Sequence, residues 1–433
     1  MPGLRPVAIQ SVIHPEPSYT FHMAILNTDR LTEQECKLCR IIESREHGLR
    51  ADLTLHVGLP TGGRNTVALD ETRALLTDRL KKLGASVEFV QGDPAPDWLY
   101  GRDPDDPVPP TAVSSRLREG QPRILLAGHL DTVHDPEGPF RELNIEPGGM
   151  RATGPGCVDM KGGLVIAVAA LECLEEAGID AGWSFLMNSD EETGSYHSDE
   201  ALATQARKHD VGLAIEPALP GGALAIERMG SGQFCIQAHG KAAHVGRAFT
   251  EGISAVTALA KTIVKAARLP EPDAGKILNI GPIQGSNATN IVPDHAVAWG
   301  NVRFGNPAHA EALAQALDAL ASPGEGLPRI EVLRSFNRPA KPMLPETERL
   351  GLLARQVAED IGQSLPFAST GGVCDGNQLQ VVGLPTIDTL GVRGGGLHTP
   401  DEWIDMTSLV ERCQLLAVLI SRLSGGAWAR QGG

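Results

Sequence analysis

Six residues of types that ligate metals or transfer protons follow short apolar runs or lie in glycine-rich turns. They are His129, Asp159, Glu191, Glu192, Glu216 and His398. The apolar runs at 123–127, 183–187, 211–215 and 385–390 are typical of buried strands. Because ligands in open α/β sheets bind beyond the carboxyl ends of the strands, we expect the six side chains to converge at one edge of one sheet.

This set of side chains suits a pair of zinc-like ions. Imidazole and carboxylate ligands together favour zinc and its borderline neighbours over magnesium and calcium. Two such cations about 3.5–4 Å apart can share an aspartate and stabilise both oxygens of a hydrolytic transition state. The adjacent Glu191 and Glu192 can divide two tasks, since one can ligate while its neighbour takes the proton of a shared water.

Each of these residues alone carries little information. A single histidine at a strand end is more often a structural residue whose hydrogen bonds are satisfied. The Asp-Glu-Glu triplet at 190–192 is, by itself, more often a solvated acidic turn. The metal-site interpretation rests on the joint occurrence of all the groups, in order, after predicted buried strands.

Helices alternate with the predicted strands in the first and last parts of the chain. Helices are predicted at 31–50, 70–83, 164–177, 346–361 and 408–421, with a strand at 85–90, a surface loop at 92–110 and the 123–127 strand stopping at Gly128. From 232 to 333 the predicted order is strand, helix, strand, strand, helix, strand, which is typical of a small antiparallel α+β unit.

The sequence therefore predicts an α/β fold with a discontinuous catalytic domain. That domain, formed by 1–226 and 337–433, should contain a mostly parallel mixed sheet flanked by helices. Residues 227–336 should form an inserted, ferredoxin-like α+β domain, and 1–28 a disordered leader in which Met1 and Met23 are both open as the translation start.

Composition limits the partners and the compartment. The chain has 433 residues and a formal net charge of −15, which disfavours nucleic acid and anionic membranes. No apolar run reaches the roughly 18 residues that a membrane span needs. Seven dispersed cysteines, with no segment resembling a secretory signal, favour reduced thiols in the cytoplasm. Cys36 and Cys39 fit one face of a helix better than half of a structural zinc site.

The motifs resemble those of the M20 metallopeptidases, which include glutamate carboxypeptidases, acetylornithine deacetylases, succinyl-diaminopimelate desuccinylases and aminoacylases. The matching segments are GHLDTV at 128–133, GPGCVDMKGG at 154–163, NSDEETGS at 188–195, IEP at 215–217, HGKAAHVGRAF at 239–249, NATNIVP at 287–293, NVRF at 301–304 and GLHTPDE at 396–402. The resemblance extends over residues 30–425 and is strongest to the carboxypeptidase G-like branch.

The resemblance implies two divalent ions, most simply zinc, with cobalt or manganese as alternatives. His129 and Glu216 would hold one ion, Glu192 and His398 would hold the other, and Asp159 would bridge them. These assignments are carried over from the family motifs residue by residue.

The resemblance also implies roles beyond the metal ligands. Glu191 would be the general base, and Asp131 would hydrogen-bond His129 and fix its tautomer. In the insert, His244 would stabilise the oxyanion, usually in the neighbouring subunit's site. Asn290 and Arg303 would bind the substrate's carboxylate, because guanidinium binds carboxylate through two parallel hydrogen bonds. The insert is accordingly expected to serve as a lid and to mediate homodimerisation.

Two stretches depart from the carboxypeptidase G-like pattern, namely 369–377 and 391–396. Both are expected to border the substrate pocket, so they leave the identity of the substrate open. Arg393 is either a second cationic contact for an acidic side chain or, somewhat more simply, a loop arginine in a surface ion pair.

The function expected from these observations is hydrolysis of an amide bond in a small N-acyl amino acid or peptide. The carboxypeptidase G-like branch implies release of a C-terminal amino acid such as glutamate. An acetylornithine deacetylase or desuccinylase type of deacylase, or a ureide amidohydrolase, shares the same motifs and stays open. A catalytically inactive dimeric scaffold is disfavoured, because the base and all the ligands are present together.

Overall fold

The structure of the protein is a computed structural model that describes residues 30–62, 65–101, 107 and 109–428. The predicted leader at 1–28, and with it the question of Met1 or Met23, lies outside the described residues. So does most of 102–108 within the predicted surface loop at 92–110.

The described residues form a mixed α/β structure. The helices are Glu33–Ser44 (α1), Glu46–Val57 (α2), Thr66–Lys82 (α3), Gly162–Ala177 (α4), Asp199–Lys208 (α5), Val245–Ala248 (α6), Ala255–Ala266 (α7), Pro307–Asp318 (α8), Pro345–Asp360 (α9), Asp375–Val381 (α10) and Ser408–Arg422 (α11). The strands are Ser86–Val90 (β1), Thr111–Arg116 (β2), Ile124–His129 (β3), Asn144–Ile145 (β4), Arg151–Thr153 (β5), Trp183–Asn188 (β6), Val211–Ala214 (β7), Leu224–Arg228 (β8), Gly230–His239 (β9), Ala243–His244 (β10), Lys276–Gln284 (β11), Ile291–Val292 (β12), His295–Phe304 (β13), Arg329–Arg338 (β14), Phe367–Thr370 (β15), Thr386–Ile387 (β16), Gly394–Gly395 (β17) and Trp403–Asp405 (β18).

The main sheet has six strands in the order β1-β2-β6-β3-β7-β16. The pairings among β6, β3, β7 and β16 are parallel, whereas β1 and β2 join in antiparallel fashion. The central strands β3, β6 and β7 are buried along their whole length, because α4 packs against one face of the sheet and α10 against the other. The predicted α/β class with a mostly parallel sheet flanked by helices is confirmed.

A second, antiparallel sheet of four strands lies within the middle of the chain, in the order β11-β13-β9-β14. Alternate residues of its strands pack against α7 and α8 and form a separate hydrophobic core that includes Phe234, Val302 and Leu317. The strand and helix order matches the one predicted for 232–333. The domain boundaries at 227 and 336, and the role of this unit as a lid, stay predictions.

Two local predictions were wrong, and one strand was not predicted. The helix predicted at 31–50 is two helices that meet at Arg45, whose side chain pairs with Glu172 on α4 at 3.0 Å. The bend allows α1 and α2 each to pack against α4. Strand β3 continues through Gly128 to His129, because the absence of a side chain at Gly128 leaves room for Met160 and Leu164. Strand β2 had not been predicted, since its polar sequence gives no apolar run.

Within the described part of the chain, every helix is too short or too polar to cross a membrane.

Candidate metal centre

The parallel strands of the main sheet bring three ligand-bearing segments to one edge. His129 is the last residue of β3 and is paired with Asn188, the last residue of β6. The turn after β6 carries Glu191 and Glu192, and Glu216 lies two residues beyond the end of β7. The expected convergence at the carboxyl ends of the strands is therefore present.

The fourth segment is the tight turn that leads into α4 and carries Asp159. Gly156 starts the turn with a φ of +67°, and a Cβ at this position would lie 2.5 Å from Thr132 Cγ2. A residue with a side chain would be strained in this conformation and would also clash, so glycine is required here. The turn directs the largely buried Asp159 toward the end of β3.

Asp159 lies between two imidazoles. Its Oδ1 is 3.3 Å from His129 Nε2, and its Oδ2 is 3.4 Å from His398 Nε2. His398 Nε2 is also 3.3 Å from Glu192 Oε2. Ligand atoms of His129, Asp159 and Glu192 all lie within 4.8 Å of one another. The structure thus brings four of the five predicted metal ligands into direct proximity.

These distances fit ligands arranged around metal ions. Two atoms each about 2.0–2.1 Å from a tetrahedral zinc ion lie roughly 3.3–3.4 Å apart. The buried atoms His129 Nε2, Asp159 Oδ1 and Glu192 Oε1 make no hydrogen bond within the described structure. Buried polar atoms are nearly always paired, so three such atoms pointing into one small space are best explained by a cation. The residues fit a metal-binding site at this edge of the sheet.

Glu216, the fifth predicted ligand, is buried two residues beyond the end of β7. Burial raises its pKa well above the ordinary value. The nearby imidazole of His129 opposes this shift, and the charges of Glu191 and Asp159 add to it. The Glu216 carboxyl therefore interacts electrostatically with His129, Glu191 and Asp159.

The carboxyl groups of the cluster stabilise positive charge on the two imidazoles. Burial opposes charge on His129, but Asp159, Glu216 and Asp131 outweigh burial, and the pKa of His129 lies well above its ordinary value. Asp159, with a further contribution from Glu192, raises the pKa of His398 to about 10. Metal ions bind in competition with such protons, so metal binding is expected to release them.

Asp131 acts mainly on the turn that carries the two glutamates. Its carboxylate accepts hydrogen bonds from the backbone N–H groups of Glu191 (3.2 Å) and Glu192 (2.9 Å). His129 Nδ1 lies 2.9 Å from the backbone oxygen of Asp131 and 3.6 Å from its Oδ1. The tautomer of His129 is therefore set most directly by the main chain at Asp131, while the carboxylate holds the glutamate turn in place.

Arg338, at the end of β14, holds Glu191. Its Nη1 donates to Glu191 Oε1 at 2.5 Å, and its Nη2 donates to the Glu191 backbone oxygen at 2.6 Å and to Ser195 Oγ at 2.9 Å. Ser195 in turn donates to Asp375 at 2.6 Å. Sequence reasoning missed Arg338 and Asp375, because both belong to segments far along the chain from the glutamates that they position.

The three predicted substrate-binding residues lie in the middle unit. His244 on β10 is exposed, and Val245 next to it donates its backbone N–H to the Asn290 oxygen at 3.0 Å, so His244 and Asn290 are neighbours. Arg303 on β13 donates to Ser231 Oγ. Burial and the charge of Arg338 lower the pKa of Arg303. Arg303 on β13 and Arg338 on β14 both pair with Ser231 of β9, so the two arginines flank the same residue of the central strand.

The two departing stretches have different surroundings. Arg393 binds Asp405, Glu411 and Thr407, which accounts for it as a structural arginine in an ion-pair network. Asp375 and Asn377, in contrast, are buried under the glutamate turn and the connections to the middle unit. This part of 369–377 therefore helps to hold the glutamate turn and the connection at Met229 in place.

Comparison with known proteins agrees with this geometry. Residues 125–422 match the peptidase family M20/M25/M40. The chain belongs to this family. As a member of the M20 family, it is a hydrolase that acts on amide bonds.

The proteins that this chain resembles carry the names of different enzymes. Carboxypeptidase G2 of a Pseudomonas species is 28% identical over 86% of this chain and 88% of its own length. Succinyl-diaminopimelate desuccinylase of Methylobacterium nodulans is 30% identical over 76% of this chain and 85% of its own length. A tripeptidase structure from Staphylococcus aureus has the same fold, with a TM-score of 0.67 and 21% identity over 88% of this chain and 99% of the other.

Proposed function

We propose that the protein is a two-metal hydrolase that releases a C-terminal amino acid, such as glutamate, from a small N-acyl amino acid or peptide. The observation that carries the proposal is the position of Asp159, whose two oxygens each lie beside an imidazole. A carboxylate placed in this way is suited to bridge two cations. The likeness to carboxypeptidase G2 supports the type of reaction.

In this proposal His129 and Glu216 would hold one ion, Glu192 and His398 would hold the second, and Asp159 would contribute to both. Zinc suits this mixture of imidazole and carboxylate, and cobalt or manganese would also be accepted. When bound, such ions polarise the scissile carbonyl and make a water molecule acidic.

Glu191 acts as the general base. It takes a proton from the attacking water and passes it to the leaving nitrogen. Arg338 fixes Glu191 Oε1 and the adjacent backbone oxygen, so Oε2 is the oxygen assigned to the proton. Asp131 keeps the turn rigid through the backbone N–H groups of Glu191 and Glu192.

Arg303 and Asn290 bind the carboxylate of the amino acid that is released. The positive charges of Arg338 and the partly buried Arg303 repel each other. An anionic substrate bound to Arg303 would relieve this repulsion. Guanidinium also matches a carboxylate geometrically.

We further propose that the protein is a homodimer assembled through the middle unit, which then serves as a lid. Strand β11 is an edge of its sheet and exposes Ile277 and Ile283, while α7 exposes Val256 and Val264. An open strand edge beside exposed apolar residues is a surface suited to pairing with a second copy. In such a dimer the exposed His244 would stabilise the oxyanion in the partner's site.

The cytoplasm is the proposed compartment. All seven cysteines are buried free thiols. Cytoplasmic conditions keep thiols reduced, and this pattern fits that environment.

A deacylase or desuccinylase activity is the second candidate, because the desuccinylase of Methylobacterium nodulans is 30% identical. A ureide amidohydrolase shares the same metal chemistry. An inactive scaffold is disfavoured, since the sequence contains the predicted base together with all five predicted ligands.

Release of free amino acid from a substrate panel separates these activities. We expect N-acyl-glutamates and small peptides to be cleaved faster than N-acetylornithine, N-succinyl-diaminopimelate or allantoate. Removal of divalent ions with a chelator should abolish the activity, and zinc should restore it. A preference for one of the other three compounds would replace the proposed substrate and keep the metal chemistry, whereas activity that survives complete metal removal would contradict the mechanism.

A further inference from the structure

Glu402 is a buried carboxylate aimed at the turn that carries Asp159. Its side chain is 1% exposed. Its Oε2 accepts the backbone N–H of Gly156 at 2.9 Å, and its Oε1 accepts those of Val158 at 3.0 Å and Asp159 at 3.1 Å. One acidic side chain therefore satisfies three backbone donors of a single turn, including the donor of the predicted bridging residue itself.

The same carboxylate reaches a second ligand-bearing segment. His134 Nε2 lies 2.5 Å from Glu402 Oε2. His134 follows His129 by five residues, and its ring is packed against Phe140 with the centroids 5.2 Å apart. Glu402 itself follows His398 by four residues and is tied to that turn by a bond from its N–H to the Thr399 oxygen.

Three segments thus meet at one side chain. These are the end of β3 with His129, the turn before α4 with Asp159, and the turn before β18 with His398. A carboxylate is suited to this position because it has acceptor sites only, and all four groups around it can donate. The main chain adds one more contact, since the backbone N–H of Gly154 donates to the backbone oxygen of Glu402 at 3.2 Å.

We propose that Glu402 is a positioning residue of the metal centre, which sets the spacing of His129, Asp159 and His398 by fastening their three segments together. The inference rests on the proposed metal-dependent function. Partners that orient metal ligands from behind contribute strongly to metal affinity, and their replacement typically costs about 10–100-fold.

Glu402→Gln tests the inference with little change in shape. Glutamine retains one acceptor oxygen but turns an NH₂ group toward either the Gly156 N–H and His134 or the N–H groups of Val158 and Asp159. In either orientation the NH₂ group would face at least one backbone N–H group that also donates. This repulsion is expected to shift the turn that carries Asp159. We expect zinc affinity, measured by competition with a chromogenic chelator on metal-stripped protein, to fall about 10–100-fold.

Glu35→Gln is the matched control. Glu35 is also a buried carboxylate, and it accepts the Thr32 N–H at 2.8 Å and a bond from Arg422 at 2.7 Å, but it caps α1 and does not belong to the metal cluster. Its replacement should leave zinc affinity within about twofold of wild type, since distant sites couple weakly. Urea unfolding of the metal-free proteins separates a loss of metal affinity from a general loss of stability.

His134→Phe is the second variant, and it decides the matter if Glu402→Gln does not fold. It removes the bond to Glu402 and keeps an aromatic ring against Phe140, so we expect a folded protein with a smaller loss of zinc affinity. Folded Glu402→Gln with wild-type affinity, or unchanged affinity in His134→Phe when Glu402→Gln is unfolded, would overturn the inference alone. Wild-type protein that takes up no zinc would overturn both the inference and the proposed function.

Discussion

Glu191→Gln is expected to lower kcat by about 10²–10⁴-fold, the usual contribution of a positioned general base. Glutamine cannot take the proton from water, yet it retains an oxygen that can accept the bond from Arg338. The metal content should stay that of wild type, because Glu191 is not among the predicted ligands. KM should change little, since the loss falls on the reaction step and not on binding of the substrate.

The control for Glu191→Gln is Glu200→Gln, which makes the same change of charge on α5, where the side chain is exposed. This variant should retain wild-type kcat. Steady-state kinetics on metal-loaded protein, with metal analysis of the same preparation, provides the measurement. If Glu191→Gln retained kcat within about tenfold of wild type, another group would be the base.

Asp388→Asn is expected to lower the free energy of unfolding by about 3–5 kcal/mol, because it leaves two buried cations without their shared anion. Asp388 accepts bonds from Arg228 at 2.8 and 3.0 Å, and Lys341 Nζ lies 3.2 Å from its other oxygen. All three side chains are buried. Arg228 and Lys341 lie on the two connections between the main sheet and the middle unit, so the cluster fastens both connections to the end of β16.

The control for Asp388→Asn is Asp318→Asn, since Asp318 pairs with Arg334 at the surface, where such a pair contributes about 1 kcal/mol or less.

Burial opposes ionisation of Asp388, but Arg228 and Lys341 outweigh it and lower its pKa below the ordinary value of 3.8. Its contribution is therefore complete at pH values above 3.8 and is lost as the pH falls through the lowered pKa. Urea unfolding should show a constant gap between wild type and variant from pH 5 to 8. A gap below about 1 kcal/mol at neutral pH would contradict the account of the cluster.

The parts of the fold that were predictable have a local physical signal. Buried parallel strands appear as short apolar runs, so β3, β6 and β7 were found, and the rule for their carboxyl ends then located the six candidate side chains. The strands and helices of the middle unit were also predictable, because apolar residues that face its core recur at regular intervals along each element. Strand β2 has no such signal, because its sequence is largely polar, and its burial comes from packing against other elements such as α3.

The parts that were not predictable depend on contacts between distant segments. Arg338 binds Glu191 from 147 positions away, and Glu402 binds the Asp159 backbone from 243 positions away. Asp388 finds Arg228 across 160 positions. Each is a single charged residue without local periodicity, and its buried partner is fixed only by the packing of the whole chain. Sequence patterns located the groups expected to react, whereas only the fold identifies the groups that hold them.

Equilibrium titration of metal-stripped protein with zinc tests the central claim most directly, because it counts ions without reference to any substrate. Wild type should bind two ions per chain, and Asp159→Asn should lose tight binding of at least one, since one oxygen of Asp159 is assigned to each ion. Wild-type protein that binds no zinc, or an Asp159→Asn variant that binds two ions with wild-type affinity, would contradict a metal pair bridged by this residue.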